Sequence, residues 1–152
     1  MKVMVGGTFD PLHDGHKKLI GRAFELAGKD GTVLLGLTTD EFAGRKVHPI
    51  RPFHERRADI VKFIESEGFL ADWSIEPLSD PYGPSIDSDF DALVVSEETF
   101  PTALEINRRR SLIKKKKVDI HQITCVLAED GKWISSTRIY RGEIDPHGHL
   151  LR

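Results

Sequence analysis

Apolar residues fall along this chain in two alternating rhythms. Short β-branched or leucine-rich runs occupy residues 3–5, 32–38, 72–78, 91–95 and 118–127. Between them, apolar positions recur every three or four residues: Leu19, Ile20, Ala23, Phe24 and Ala27 in one stretch, and Ala58, Ile60, Val61, Phe63 and Ile64 within 53–67. A third helical stretch covers about 101–116. The first rhythm predicts strands and the second predicts amphipathic helices. The nearly continuous apolar character of 32–38 is that of a parallel strand covered on both faces. Strands separated by helices require right-handed crossovers, so the expected architecture is α/β, a doubly wound sheet of about five parallel strands. Ligands of such sheets bind beyond the carboxyl ends of the strands, at the switch point. That rule gathers the turn after the first strand, the loop 39–52 and the segment after the fourth strand on one rim.

Composition narrows the classes. A chain of 152 residues suffices for one domain with a substantial core. With 39% hydrophobic and 30% charged residues, it has no apolar run near the ~20 residues of a membrane helix. No signal peptide is expected, because the first residues already read as a strand. The lone Cys125 excludes an intrachain disulfide and a cysteine-rich zinc site, and points to a cytoplasmic setting. Its own best reading is a small buried hydrophobe in the fifth strand. A formal charge of -2 gives no global pull toward nucleic acid.

The rim begins with Gly6-Gly7, where the backbone can turn sharply and approach a ligand closely. Asp14 is the expected N-cap of the following helix, whose exposed N–H groups and partial positive charge favour an anion such as phosphate. His13 and His16, three apart, share one face of the first turn and can donate to phosphate oxygens. The turn is neither the Gly-x-Gly-x-x-Gly fingerprint nor a Walker loop. Along the loop 39–52 stand Arg45, Lys46, His48 and Arg51, stiffened by Pro49 and Pro52. A lysine there can swing its point charge onto a phosphate. Residues 79–89 are acidic and turn-rich, but Asp80, Asp87 and Asp89 lack the order of a calcium loop, and a helix start near Ser85 is expected.

Gly7-Thr8-Phe9-Asp10-Pro11 followed by His13-Asp14-Gly15-His16 resembles the signature of the nucleotidyltransferase superfamily with T/H-x-G-H motifs. Ile134-Ser135-Ser136-Thr137-Arg138-Ile139 resembles that superfamily's second motif, and the pair in this order is far more specific than either alone. Two further stretches, Val94-Val95-Ser96-Glu97-Glu98-Thr99 and Gly142-Glu143-Ile144-Asp145-Pro146-His147-Gly148, look most like the archaeal phosphopantetheine adenylyltransferases. The resemblance covers most of the chain and implies a single nucleotidyltransferase domain over 1–152 with a Rossmann-like sheet.

It also implies an activity: transfer of AMP from ATP to 4′-phosphopantetheine, giving dephospho-coenzyme A and pyrophosphate. The acceptor phosphate would attack the α-phosphorus directly, so catalysis rests on positioning and on stabilising charge. His16, Lys46 and Thr8 are the implied catalytic residues. Gly7, Thr8, Phe9, His13, Gly15, His16, Arg108, Ser135, Ser136, Thr137 and Arg138 would bind ATP, and Thr8 and Lys46 the phosphopantetheine. Mg²⁺ would bridge the β and γ phosphates, with no metal site in the protein. Ser135 would cap the second helix. Tyr82 is a candidate for the pantetheine side. Ser96-Glu97-Glu98-Thr99 stands where bacterial members carry arginines, so Arg108 is expected to supply the missing charge. Arg109-Arg110 and Lys114 to Lys117 read as a solvated helix end.

Neither nucleic acid nor a membrane is an implied partner, while a homo-oligomer stays compatible. A related transferase using glycerol 3-phosphate, nicotinamide mononucleotide or flavin mononucleotide would keep the same motifs. A nucleotide-binding regulator without turnover and a zinc hydrolase on His13 and His16 are the other classes; the latter lacks an obvious third ligand.

Overall fold

The computed structural model describes residues 1–44 and 48–151. Strands β1 (Lys2–Gly7), β2 (Thr32–Thr38), β3 (Asp72–Leu78), β4 (Ala92–Val95) and β5 (Asp119–Gln122) form one parallel sheet in the order β3-β2-β1-β4-β5. The helices are α1 (Asp14–Ala27), α2 (Asp40–Ala43), α3 (Phe53–Glu67), α4 (Phe100–Leu112) and α5 (Ser136–Tyr140), with a 3₁₀ turn at Gly83–Ser85. The chain winds outward from β1 to β3, then returns to the other side of β1 for β4 and β5. The reversal therefore lies between β1 and β4.

The two-residue period of the strands sorts their side chains. Val3 and Val5 join Val33, Leu35 and Leu37 in a core closed by Ile20 and Phe24 of α1 and Ile60 and Ile64 of α3. Met4, Leu93 and Val95 face the opposite way, against Ala103 and Ile106 of α4. A satellite of Ala128, Ile134 and Ile144 gathers the C-terminal residues. Among the described residues, no helix is long and apolar enough to cross a membrane.

Several elements differ from the expectation. The cap of α1 is His13, one residue before Asp14. A short helix, α2, begins inside the stretch expected to be loop, because Thr39 accepts from Phe42 N at 3.3 Å and caps it. β5 ends at Gln122 instead of running to 127. Beyond it Leu127 pairs antiparallel with Trp133, and Ile134 N donates to Val126 O at 2.9 Å. An apolar run alone cannot separate a longer strand from such a partly exposed bridge. Cys125 therefore lies outside the sheet and is only half-buried.

Helix α4 stops at Leu112, not near 116, where the chain turns through Lys114 at φ 60. The turn wraps 115–116 back onto Arg110, whose guanidinium is 2% exposed. Arg110 donates to the carbonyls of Lys116 (2.7 Å), Ser85 (2.9 Å), Ile86 (3.3 Å) and Ser88 (2.7 Å). It is thus a buried cross-link and not part of a solvated end. The acidic stretch 79–89 is spent on turn making: Asp80 accepts from Tyr82 N and Gly83 N at 2.8 and 2.7 Å, and Asp89 pairs with Lys115.

Candidate active site

The site starts where β1 ends. After Gly6-Gly7 the chain turns through Phe9, which holds φ 52 with its ring 1% exposed. A left-handed non-glycine residue is uncommon, and here the buried ring over-determines it. A Cβ on Gly7 would come within 3.2 Å of that ring, a tight contact that the ring would have to shift to accommodate. Asp10, also buried, accepts from Arg51 N (2.9 Å) and Arg51 Nε (2.8 Å), which pins the far end of the 39–52 loop beside the turn.

His13 and His16 then close a capping box with imidazoles in both roles. His13 Nδ1 accepts from Gly15 N (3.0 Å) and His16 N (3.3 Å), while His16 Nδ1 accepts from His13 N (3.3 Å). The rings stack at 3.7 Å, and Phe9 meets His16 edge-on at 5.0 Å. With Nδ1 accepting in both, each neutral ring carries its proton on Nε2 and is a donor there. Burial pushes the His13 pKa down to about 4 against the opposing pull of Asp14, so His13 is neutral at physiological pH. Gly15 explains itself by contact: a Cβ there would lie 2.8 Å from His13 Cε1. Asp14, displaced from capping, pairs with His147 at 2.9 Å, and its N–H donates to Pro146 O.

Two cavities open from this turn. A polar one of about 290 Å³ is lined by Gly7, Thr8, Phe9, His13, Gly15 and His16 on one side and by Ser135, Ser136 and Thr137 on the other. Ser135 caps α5 by accepting from Arg138 N at 3.2 Å. The amino ends of α1 and α5 therefore border the same space. Ile123, Cys125, Val126 and Trp133 give that cavity an apolar end. The second cavity, about 250 Å³, lies on the α4 side of the sheet between Met4, Leu34, Leu78, Tyr82, Leu93 and Ile106. Gly6, Gly7, Thr8 and Thr99 line both cavities, so the two spaces share a seam.

Not every residue implied by the sequence arrives there. Lys46 lies outside the described residues. Arg108 lines neither cavity; it grips Glu105 at 2.5 Å on the exposed side of α4, and with Arg109 holds that carboxyl down at about 2. The Arg138 guanidinium also lines neither, because Asp130, Glu143 and the Trp133 carbonyl take its donors. Its contribution is to brace α5. Tyr82 lines the apolar cavity, with Arg109 4.1 Å above its ring. Burial raises the Cys125 thiol, which fits a wall residue and not a nucleophile.

Two residues without a signal in the sequence, Arg56 and Thr38, belong here, as does His48, which the sequence places only on the basic rim loop. Arg56 is fully buried and reaches Thr8, Thr38 carries a hydroxyl to the same threonine, and His48 lines the polar cavity with its ring stacked on Tyr140 at 5.3 Å. Glu55-Arg56 is visible as a helix start, but that the arginine turns inward is a tertiary fact without a local signal.

The five-stranded parallel sheet, with its switch point between β1 and β4 and cavities beside it, defines a Rossmann-like α/β class. The cytidylyltransferase-like family model matches residues 4–142. A phosphopantetheine adenylyltransferase of Methanosarcina acetivorans is 50% identical over 152 residues, covering 99% of this chain and 96% of its own. One from Archaeoglobus fulgidus is 45% identical, covering 99% of this chain and all of its own length (100%). A crystal structure described as a protein of unknown function from Archaeoglobus fulgidus superposes with a TM-score of 0.73 at 40% identity, covering 81% of this chain and 89% of the other. The chain belongs to the phosphopantetheine adenylyltransferase family, within the cytidylyltransferase-like nucleotidyltransferases.

Proposed function

We propose that the chain transfers the adenylyl group of ATP to 4′-phosphopantetheine in the cytoplasm, a step of coenzyme A biosynthesis that forms dephospho-coenzyme A. The observation that carries this reading is the shared seam: a polar cavity with two helix amino ends and an apolar cavity of similar size meet at Gly6, Gly7, Thr8 and Thr99. Triphosphate suits the first and a pantetheine arm suits the second, which leaves the acceptor phosphate beside Thr8 and the α-phosphate beside His16.

In this reading an oxygen of the acceptor phosphate attacks the α-phosphorus in line. The bond from that phosphorus to the bridging oxygen breaks, and pyrophosphate leaves with the electron pair. The Nε2–H of His16 donates to an α-phosphate oxygen as charge builds, with neutral His13 stacked behind it to fix the ring. Ser135, Ser136 and Thr137 hold the β and γ phosphates, and Lys46 adds charge to the incoming phosphate. Among the described residues no three His, Cys, Asp or Glu side chains converge as a metal cage. Donors of this kind suit phosphate, and Mg²⁺ would come in on the ATP oxygens as part of the substrate, in keeping with its preference for phosphates and retained water.

The test is turnover with a series of acceptors. Purified protein with ATP and 4′-phosphopantetheine should release pyrophosphate and dephospho-coenzyme A in equal amounts. Pyrophosphate release only with glycerol 3-phosphate, nicotinamide mononucleotide or flavin mononucleotide would reassign the acceptor. Tight ATP binding with no pyrophosphate from any of them would remove the enzyme reading.

A further inference from the structure

Arg56 is 0% exposed, and nothing in the chemistry above calls for a buried guanidinium. Each of its three nitrogens donates within one small region. Nε donates to Arg51 O (2.8 Å) and Nη2 to Asp40 Oδ1 (3.0 Å). Nη1 donates to both the Thr8 carbonyl and the Thr38 hydroxyl oxygen, each at 3.2 Å. Thr38 Oγ1, itself buried, donates in turn to Thr8 Oγ1 at 2.9 Å. The chain of contacts thus runs from a fixed cation, through one hydroxyl, to the threonine at the seam of the two cavities.

Its direction follows from donor and acceptor chemistry. A guanidinium can only donate, so the Thr38 oxygen accepts from it, and the Thr38 hydroxyl is in turn the donor in its bond to Thr8 Oγ1. Thr8 oxygen then receives a hydrogen from the protein side, and its own hydrogen is left to point toward the seam. Successive bonds of the same sense polarise one another, which strengthens the last donor. The bond to the Thr8 carbonyl fixes the backbone that carries it.

We propose that Arg56, acting through Thr38, is a positioning residue that commits the Thr8 hydroxyl to donating into the seam, and so selects acceptors that end in a phosphate over those that end in an alcohol. This rests on the adenylyl-transfer reading, since it assigns the acceptor end to the seam. An acceptor phosphate offers only oxygens that want hydrogen, whereas an alcohol gains as much from a threonine that accepts.

Thr38→Val tests it, because valine keeps the branched shape and deletes only the relay hydroxyl; Thr38→Ala makes the same comparison if valine crowds the guanidinium, and Thr38→Ser restores the relay. Binding of 4′-phosphopantetheine and of unphosphorylated pantetheine is titrated against each variant, with KM and kcat for the first. Thr38→Val should lose about tenfold of the wild-type preference for the phosphorylated ligand, the scale of one charge-assisted hydrogen bond. KM for 4′-phosphopantetheine should rise in step, KM for ATP and pantetheine affinity should hold, and Thr38→Ser should recover the preference. Equal weakening of both ligands, or an intact preference, would mark Thr38 as merely structural and overturn the proposal. A wild-type protein that neither binds nor adenylylates 4′-phosphopantetheine would instead sink the parent reading, before any variant is compared.

Discussion

His13 shows how much one side chain can settle. By spacing alone, His13 and His16 are legible as neighbours on the first turn of a helix. Which residue caps that helix is not legible, because Asp14 is intrinsically the better cap. The imidazole wins because Gly15 leaves room for it and because Asp14 finds His147, and neither fact is local to the motif. A consequence is pH dependence. The folded pKa of His13, about 4, lies below the ordinary 6.5, so the unfolded chain takes up the proton first. No stability is lost at pH 7; the loss grows as pH falls from about 6.5 and is complete near 4, on the order of 3 kcal/mol in all. Urea midpoints followed from pH 7 to pH 4.5 should fall less in His13→Asn, which keeps a capping oxygen but does not titrate. Parallel midpoints in the two proteins would contradict this. In the proposed mechanism His16→Ala removes the donor to the α-phosphate, and it should lower kcat by ~10² to 10³ with the fold retained, judged by turnover beside a thermal melt.

Helix α4 and the stretch it holds act as a unit. Its apolar spacing is readable, and so are its basic residues, yet the same run of arginines hides opposite fates. Arg108 and Arg109 stay outside on Glu105, while Arg110 threads beneath Phe90 and binds four carbonyls. Charge patterning cannot distinguish them, because burial of an arginine depends on carbonyls supplied by residues 85–88 and 116. One of those residues, Ser85, itself lines the apolar cavity beside Tyr82 and Pro84. Arg110→Met should therefore cost about 3 kcal/mol in chemical denaturation, by stranding buried carbonyls, and should raise KM for the acceptor more than KM for ATP. A stable variant with both constants unchanged would show that the cross-link is dispensable. The second motif follows a similar logic. Ser135 as a cap is legible from type and position, whereas the diversion of Arg138 to Asp130 and Glu143 is not.

For the molecule as a whole, the alternation of apolar rhythms anticipates the parallel sheet closely. β2, β3 and α3 occupy the residues expected, because their patterns are long and bounded. The rim rule points to the switch point between β1 and β4, and both cavities open there. What no pattern discloses is that the rim holds two cavities instead of one, meeting at Gly6, Gly7, Thr8 and Thr99. That arrangement is the central claim, and a crystal structure of the protein with its product dephospho-coenzyme A tests it most directly. The account predicts the adenylyl half against His16 and the amino end of α5, the pantetheine arm between the sheet and α4, and the bridging phosphates beside Thr8. A product lying with both halves in one cavity, or with its phosphates away from Thr8, would contradict it.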